Sequence, residues 1–366
     1  MASSFLESLQ PQRDKINELM NDFFDSLITN EEESYLRRFL GYAHNFTKGP
    51  GRRLLPICTV NTFIGLSSEK ELFDFSDEIY QVSLAIELLH ISALMIDDLI
   101  DQEELRRGLP TFHKGILKML GSKSITPEQF SGWRVSSFEA SSAIYGGNMT
   151  SYLGTSIISR SRFPENRKRQ ALQLYLDGLL GLTRGHLLDE YYKISPLDQI
   201  SLEDYLILSS LKRGKQMETA VGLGAILGNA RQSQMEPLMQ AMNKIGVIEQ
   251  IRNDYNGTFG DPRKKSIDTD IKSGQCTILT VIGYQSGTPE QRKQLQTILG
   301  NDKATPDQIE TVRNIFKTTG AIQFVQHYEN SLKNDCYNLL QRIYPGLKKD
   351  VIEFYGELLG YIIESD

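Results

Sequence analysis

Cysteine is scarce: Cys58, Cys276 and Cys336 lie far apart and are odd in number. No Cys-x-x-Cys pair or cysteine–histidine cluster accompanies them, which excludes a zinc-ligand pattern and a disulfide framework and points to a reducing, cytoplasmic setting. A basic excess is also missing. Forty Lys and Arg stand against 46 Asp and Glu, a net charge of −6, whereas a nucleic-acid binder is expected to carry a basic stripe. No uncharged apolar run of about 18 residues occurs. The longest candidate, around 82–96, is interrupted by Glu87 and His90, so no transmembrane span is expected. The first residues, MASSFLESLQPQRDK, lack a basic start leading into an apolar core, so no signal peptide is read. Strand alternation is scarce, and there is no long low-complexity linker or convincing repeat.

What remains is an ordinary globular composition, 40% hydrophobic and 23% charged over 366 residues. Helical periodicity dominates it. Phe5, Leu9, Ile16, Met20, Phe23 and Phe24 predict an amphipathic helix over 4–29, kinked or restarted at Pro11. Further helices are predicted over 53–66, 73–102, 134–160, 165–193, 201–229, 232–258, 268–286, 305–318, 319–343 and 346–363. Glu31, Glu32 and Glu33 read as the acidic first turn of another. Short breaks carry the usual punctuation, from Gly49-Pro50-Gly51 to Pro345-Gly346. The expectation is one all-α domain over residues 1–366. Its least regular part, 114–134, reads as an insertion, either a lid or an ordinary surface loop.

The most informative stretch is His90 to His113, HISALMIDDLIDQEELRRGLPTFH. Its apolar lead ends in Asp97, Asp98 and Asp101. Asp97 and Asp101, four residues apart, share a helix face. Aligned carboxylates ending an apolar face suit Mg²⁺, which binds through one or two carboxylates plus substrate phosphates. Arg106 and Arg107 follow, planar forks that pair with phosphate. Taken alone, such residues are equally a solvated surface. The full string, Asp97-Asp98-Leu99-Ile100-Asp101 and then Arg106-Arg107-Gly108-Leu109-Pro110-Thr111-Phe112-His113, is more specific. It resembles the first aspartate-rich motif of the trans-isoprenyl diphosphate synthases, the polyprenyl synthetase family.

Other segments resemble that family in order and spacing, with departures. Gly49-Pro50-Gly51-Arg52-Arg53-Leu54-Leu55-Pro56 is similar to a motif that holds isopentenyl diphosphate, with Leu55 where a phosphate-binding arginine is expected. By the resemblance, Arg52, Arg53, His90 and Arg107 contact that diphosphate. Gly185-His186-Leu187-Leu188-Asp189 resembles a Gly-Gln-x-x-Asp motif with His186 in place of glutamine. Lys212-Arg213-Gly214 resembles Lys-Thr-Gly, whose lysine contacts the allylic diphosphate. Ile248 to Thr277 resembles the second metal motif, in the form found in archaeal and actinobacterial geranylgeranyl diphosphate synthases. In it Gln250 and Asp254 are in place, Asn253 replaces the first aspartate and Gln275 replaces a lysine. Asn253, Gly257 and Asp261 recur at helical spacing if the helix runs that far.

The resemblance implies an orthogonal helical bundle around a deep central cavity, with the two acidic motifs facing each other. It implies Mg²⁺, three ions with the substrate diphosphate, held by Asp97, Asp101, Asn253 and Asp254. Asp98, Arg106 and Lys212 join the catalytic set, and His186 and Gln250 the substrate contacts. It also implies a homodimer. Upstream of Asp97, the small Ser92 and Ala93 leave room for a tail beyond fifteen carbons, with Leu89 on the wall and Met149, with Tyr145 and Tyr152, as a floor. The main reading is a prenyltransferase that condenses an allylic diphosphate with isopentenyl diphosphate to geranylgeranyl diphosphate or longer. Leu55, Asn253 and Gln275 keep open a class I terpene cyclase on the same fold. A non-catalytic subunit of a heteromeric synthase is the third reading, and the intact Asp97, Asp98 and Asp101 oppose it.

Overall fold

The computed structural model describes residues 2–106, 108–119, 132–261, 267–343 and 346–364. Its helices are α1 (Ala2–Ser8), α2 (Gln10–Asn30), α3 (Ser34–Thr47), α4 (Leu54–Leu66), α5 (Glu69–Ile100), α6 (Phe112–Met119), α7 (Gly132–Arg160), α8 (Glu165–Ile194), α9 (Leu202–Ser209), α10 (Lys215–Leu227), α11 (Gln232–Phe259), α12 (Thr269–Ser273), α13 (Ile278–Ser286), α14 (Pro289–Ile298), α15 (Pro306–Thr318), α16 (Ala321–Ile343) and α17 (Lys349–Glu364). A two-residue hairpin, β1 (Leu105–Arg106) and β2 (Leu109–Pro110), is the sheet among the described residues. The chain is all-α, as its periodicity predicted.

Local chemistry sets the boundaries. Pro11 sits in the first turn of α2, where a missing N–H costs nothing, so it starts a helix rather than kinking one. Ser68 and Glu71 close a reciprocal capping box on α5, and Ser201 with Asp204 does the same for α9. Glu33 caps α3 by accepting from the Leu36 N–H, so the Glu31–Glu33 run precedes its helix instead of forming the first turn. The helix expected over 268–286 is two, because Gly274 ends α12 in the left-handed region at φ 73°. α6, α14 and the hairpin were not predicted at all. Residues 120–131 of the expected insertion lie outside the described residues.

The chain falls into two compact units. The first comprises Leu6–Tyr175 and Ile226–Gly228. At its centre is α5, packed mainly on α7 and α4. α4 is apolar nearly all round and buried from Leu54 through Val60, which marks a core helix. α7 approaches α5 closely because Gly147 and Gly154 carry no side chains: a Cβ at Gly147 would lie 2.8 Å from Ile96 and 3.1 Å from the Ser92 carbonyl. α5 is long and apolar enough to cross a membrane, but 72% of its apolar window is buried within the protein, which makes it the core of this unit. Each such fully buried Leu or Ile contributes about 1.5–3 kcal/mol.

The second unit comprises 1–5, Leu176–Ala225 and Asn229–Asp366. α11 is its axis and packs most heavily on α16. Phe5 joins it through ring contacts with Phe354 and Tyr361 at centroid distances of 5.9 and 5.4 Å.

Candidate functional site

Asp97 and Asp98 lie in the last turn of α5, and Asp101 is its C-cap, donating its backbone N–H to the Asp97 carbonyl at 2.8 Å. The shared face of Asp97 and Asp101 therefore holds to the end of the helix. This is the negative end of the macrodipole, where carboxylates are unfavourable unless a cation answers them. Asp98 points the other way and is buried. The hairpin folds back so that the Arg106 Nε lies 2.8 Å from both Asp98 oxygens, with a further bond from Nη2. Burial pushes the Asp98 carboxyl above its ordinary range, and Arg106 works against that shift. Gly108, at φ 78°, allows the tight reversal, and the Thr111 hydroxyl donates to the Glu103 carbonyl at 2.7 Å. His113 is buried beside Thr111. The string after Asp101 thus builds a clamp on Asp98. Arg107, expected on the isopentenyl diphosphate, lies outside the described residues.

A cavity of about 400 Å³ opens beside this clamp. Tyr42, Phe46, Ile91 and Leu94 line it with apolar surface, and Asn45, His90 and Arg106 add polar groups. Arg53, expected on the isopentenyl diphosphate, also reaches its wall. It is buried between Glu87 at 2.5 Å, Asn17 at 2.9 Å and the Thr47 carbonyl at 2.5 Å. It stands at φ 54° as the N-cap residue of α4. Three of its five N–H donors bond to α2, α3 and α5, so Arg53 fixes the wall. A buried pair of this kind is strongly destabilised when one partner is removed. Leu55 lies in the core at 8% exposure, so the position expected to carry arginine faces packing here. Arg52 is half-buried.

The tail-binding expectations divide. Ala93 is half-buried and Leu89 is buried on the helix face that leads to Asp97. Ser92, expected on the pocket wall, is buried, and its carbonyl lies at the α5–α7 contact beside Gly147. Tyr145 and Tyr152 are 71% and 68% exposed, which removes them as a floor. Met149 lines a different cavity, with Leu27, Leu36 and Phe39 of α2 and α3.

In the second unit, Asp189 on α8 is buried and accepts from Lys212 on one oxygen and from Gln275 Nε2, at 2.6 Å, on the other. Gln275 keeps a hydrogen bond where a lysine would have added charge. His186 is half-buried one turn before Asp189. Lys212 lies in a π turn, Ser210–Gly214, between α9 and α10, a geometry that recurs at functional sites.

The second acidic motif departs furthest from expectation. Asp254 was expected to bind metal, yet it is 2% exposed and accepts from Tyr205 Oη at 2.7 Å, Gln250 Nε2 at 2.8 Å and the Ile278 N–H at 3.2 Å. Burial pushes its carboxyl up to about 7, against the hydrogen bonds from Tyr205 and Gln250. It ties α11 to α9 and to the start of α13, and Gln250 donates to it. Asn253 is exposed on α11. Asp261 lies beyond the helix, which ends at Phe259 with Gly260 extended, so the i, i+4, i+8 face stops at Gly257. The space above Gly257 is filled by the Asp270 carboxylate, and a Cβ at 257 would collide with it. Asp270 from α12 therefore stands where a side chain at 257 would stand. The sequence reading did not single this residue out, because it comes from another element; its visible signal was the aspartate four residues before Gly274 in the second-motif segment.

No three His, Cys, Asp or Glu side chains among the described residues converge closely enough to hold an ion alone. The donors present are carboxylate and amide oxygens, the hard ligands Mg²⁺ takes, and Mg²⁺ completes its shell with waters and substrate phosphates. Asp97 and Asp101 fit that chemistry.

A profile described as Polyprenyl synthetase matches residues 37–316. The short chain isoprenyl diphosphate synthase of Methanocaldococcus jannaschii is 25% identical over 276 residues, 73% of this chain and 72% of that protein. The geranylfarnesyl diphosphate synthase of Aeropyrum pernix is 25% identical over 336 residues, 89% of this chain and 94% of that protein. The crystal structure of geranylgeranyl pyrophosphate synthase from Corynebacterium glutamicum, complexed with isoprenyl diphosphate and magnesium, superposes with a TM-score of 0.83 at 20% identity, covering 100% of both chains.

Proposed function

Since the chain belongs to the polyprenyl synthetase family, we propose that it joins an allylic prenyl diphosphate to isopentenyl diphosphate, giving geranylgeranyl diphosphate or a longer product. The chain is a trans-prenyltransferase, and the whole of it acts as one catalytic domain in this reading. The observation that carries the residue assignments is the pair Asp97 and Asp101 on one face at the end of α5, beside an Asp98 already neutralised by Arg106. The clamp leaves two carboxylates, not three, for metal.

Mg²⁺, when bound, neutralises the diphosphate and polarises the C–O bond that breaks. Asp97 and Asp101 would hold the ion at the end of α5. Within the second unit, Asn253 and Asp270 would be the oxygen donors for Mg²⁺, and Lys212 beside Asp189 would be the positive charge for a diphosphate. The C–O bonding pair leaves with the diphosphate. The double bond of isopentenyl diphosphate attacks the allylic carbon, and the proton lost from its C2 passes to the departed diphosphate. The cavity beside the clamp suits isopentenyl diphosphate, with aromatic and aliphatic walls for its hydrocarbon, His90 and Arg106 on its wall for the phosphates, and Arg52 on the loop that follows the lining residues Gly49 and Pro50. Ala93 borders the growing tail. His186 adjoins the Asp189–Lys212 pair and holds water or phosphate there.

A homodimer in the cytoplasm completes this reading. Leu176, Leu180, Leu187, Tyr191 and Ile194 form one exposed face of α8, from 48% to 84% accessible, a stripe of the kind that marks an interface. A monomer by light scattering at micromolar concentration would overturn the dimer.

The deciding test is a product assay with Mg²⁺ and allylic diphosphates of increasing length, with and without isopentenyl diphosphate. Longer prenyl diphosphates are expected only when isopentenyl diphosphate is present. A hydrocarbon or alcohol formed from the allylic diphosphate alone would overturn elongation in favour of cyclisation, the reaction for which Asn253 and Gln275 would then be read. No diphosphate release under any condition would mark a non-catalytic subunit.

A further inference from the structure

We propose that Asn243 is a positioning residue for prenyl transfer, acting through the π turn that carries Lys212. The proposal rests on the reading of Lys212 as a contact of the allylic diphosphate. α9, the turn and α10 follow one another without a break, and Ser209, Ser210 and Lys215 all keep right-handed helical geometry. Ser210–Gly214 is thus one wide turn inside a continuous rod. A π turn widens the hydrogen-bonded ring and loosens carbonyls from their usual partners, so it persists where neighbours hold it.

The neighbours that hold this turn are specific. α8 presents Gly185, where a Cβ would lie 2.9 Å from Lys212 Cγ and 3.0 Å from the Lys212 backbone nitrogen. α11 presents Gly246, where a Cβ would lie 2.5 Å from the Arg213 carbonyl and 2.6 Å from Gly214 Cα. The turn is clamped between two helices at points where neither carries a side chain. Asn243, three residues before Gly246, is on the same face of α11. Its Oδ1 accepts from Ser210 Oγ at 2.9 Å, and its Nδ2 reaches the Ser210 carbonyl at 3.5 Å. Nδ2 also donates to Glu218 at 2.9 Å, and Glu218 accepts from Lys215 at 2.6 Å. One amide thereby grips the residue that enters the turn and, through Glu218, the helix that leaves it.

Lys212 sits between those two anchors, and its ammonium group pairs with Asp189 four residues beyond Gly185. Relaxing a π turn to α geometry shifts the register by one residue, about 100° around the axis. That shift carries Lys212 away from Asp189. Asn243 opposes it, so its effect on catalysis is expected to run through Lys212 alone.

The test is steady-state kinetics on the full chain carrying Asn243→Ala, Lys212→Ala, both together, or the gentler Ser210→Ala. Asn243→Ala is expected to lower kcat/KM for the allylic diphosphate about tenfold while the KM for isopentenyl diphosphate stays within about twofold. In the Lys212→Ala background it is expected to add nothing. A fully additive loss in the double variant, or an equal rise in both KM values, would overturn the proposal and leave Asn243 as scaffold. If Asn243→Ala does not fold, Ser210→Ala in the same cycle decides, with about a threefold selective loss expected. Unchanged kinetics of Lys212→Ala would instead refute the reading of Lys212, a failure distinct from additivity.

Discussion

The aspartates of the first and second motifs look alike on paper, yet their surroundings give them different work. Asp97 is half-buried and Asp101 exposed at the end of α5, whereas Asp98 and Asp254 are buried and hydrogen-bonded within the protein. Asp97→Ala or Asp101→Ala is expected to lower Mg²⁺-dependent diphosphate release by roughly a hundred- to a thousand-fold. Asp254→Asn should leave the Mg²⁺ dependence in place and cost about 1–3 kcal/mol of stability instead. Equal losses of activity in all three would refute this partition. Product length offers a second contrast. Ala93→Phe is expected to shorten the main product by about one isoprene unit, since a helical turn of about 5 Å is near that length. Ser92→Phe meets the α5–α7 contact at Gly147, so it should lower the melting temperature before it alters product. Unchanged chain length in Ala93→Phe would move the pocket wall elsewhere. Arg53 shows why such distinctions were not legible in the sequence. A glycine-turn arginine reads as a phosphate ligand until Glu87, 34 residues away, is found against it.

At the scale of elements, periodicity revealed the long helices because each needs an apolar stripe, and the first aspartate motif was readable because all its parts are contiguous. The break in 268–286 was not readable, because it depends on Gly274 entering the left-handed region rather than on any change of pattern. Asp270 was hidden for a related reason: its position over Gly257 is made by two elements. Packing of α11 on α16 carries a testable pH effect. Glu329 on α16 is buried, and its nearest described cation is Arg252 of α11 at 3.9 Å. Burial pushes the Glu329 carboxyl up to about 7, with Arg252 pulling the other way. The folded state thus favours the protonated acid. The resulting stability is full below the unfolded value of 4.5 and is lost as pH rises to about 7. Glu329→Gln is expected to flatten that slope and, at pH 8, to exceed the native chain by on the order of 2 kcal/mol. Denaturant unfolding at pH 5 and pH 8 checks this, and parallel curves for the two proteins would refute it.

For the whole molecule, the end of α5 has a consequence that reaches beyond chemistry. Its carboxylates sit at the negative pole of a 32-residue helix, and that helix is the centre of its unit. Any ligand that brings positive charge there binds the native state and not the unfolded one, so it stabilises the protein by mass action, about 2.7 kcal/mol at a hundredfold excess over its Kd. Mg²⁺ with inorganic diphosphate is therefore expected to raise the melting temperature by several degrees, and Asp97→Ala should abolish that rise; an equal rise in both proteins would refute the link. Inside a cell the same coupling makes turnover of the protein answer to supply. When prenyl diphosphate with Mg²⁺ is scarce, the fraction of unfolded molecules open to proteases is expected to rise. Matching of catalyst to flux would then arise from substrate binding alone, without a dedicated regulator.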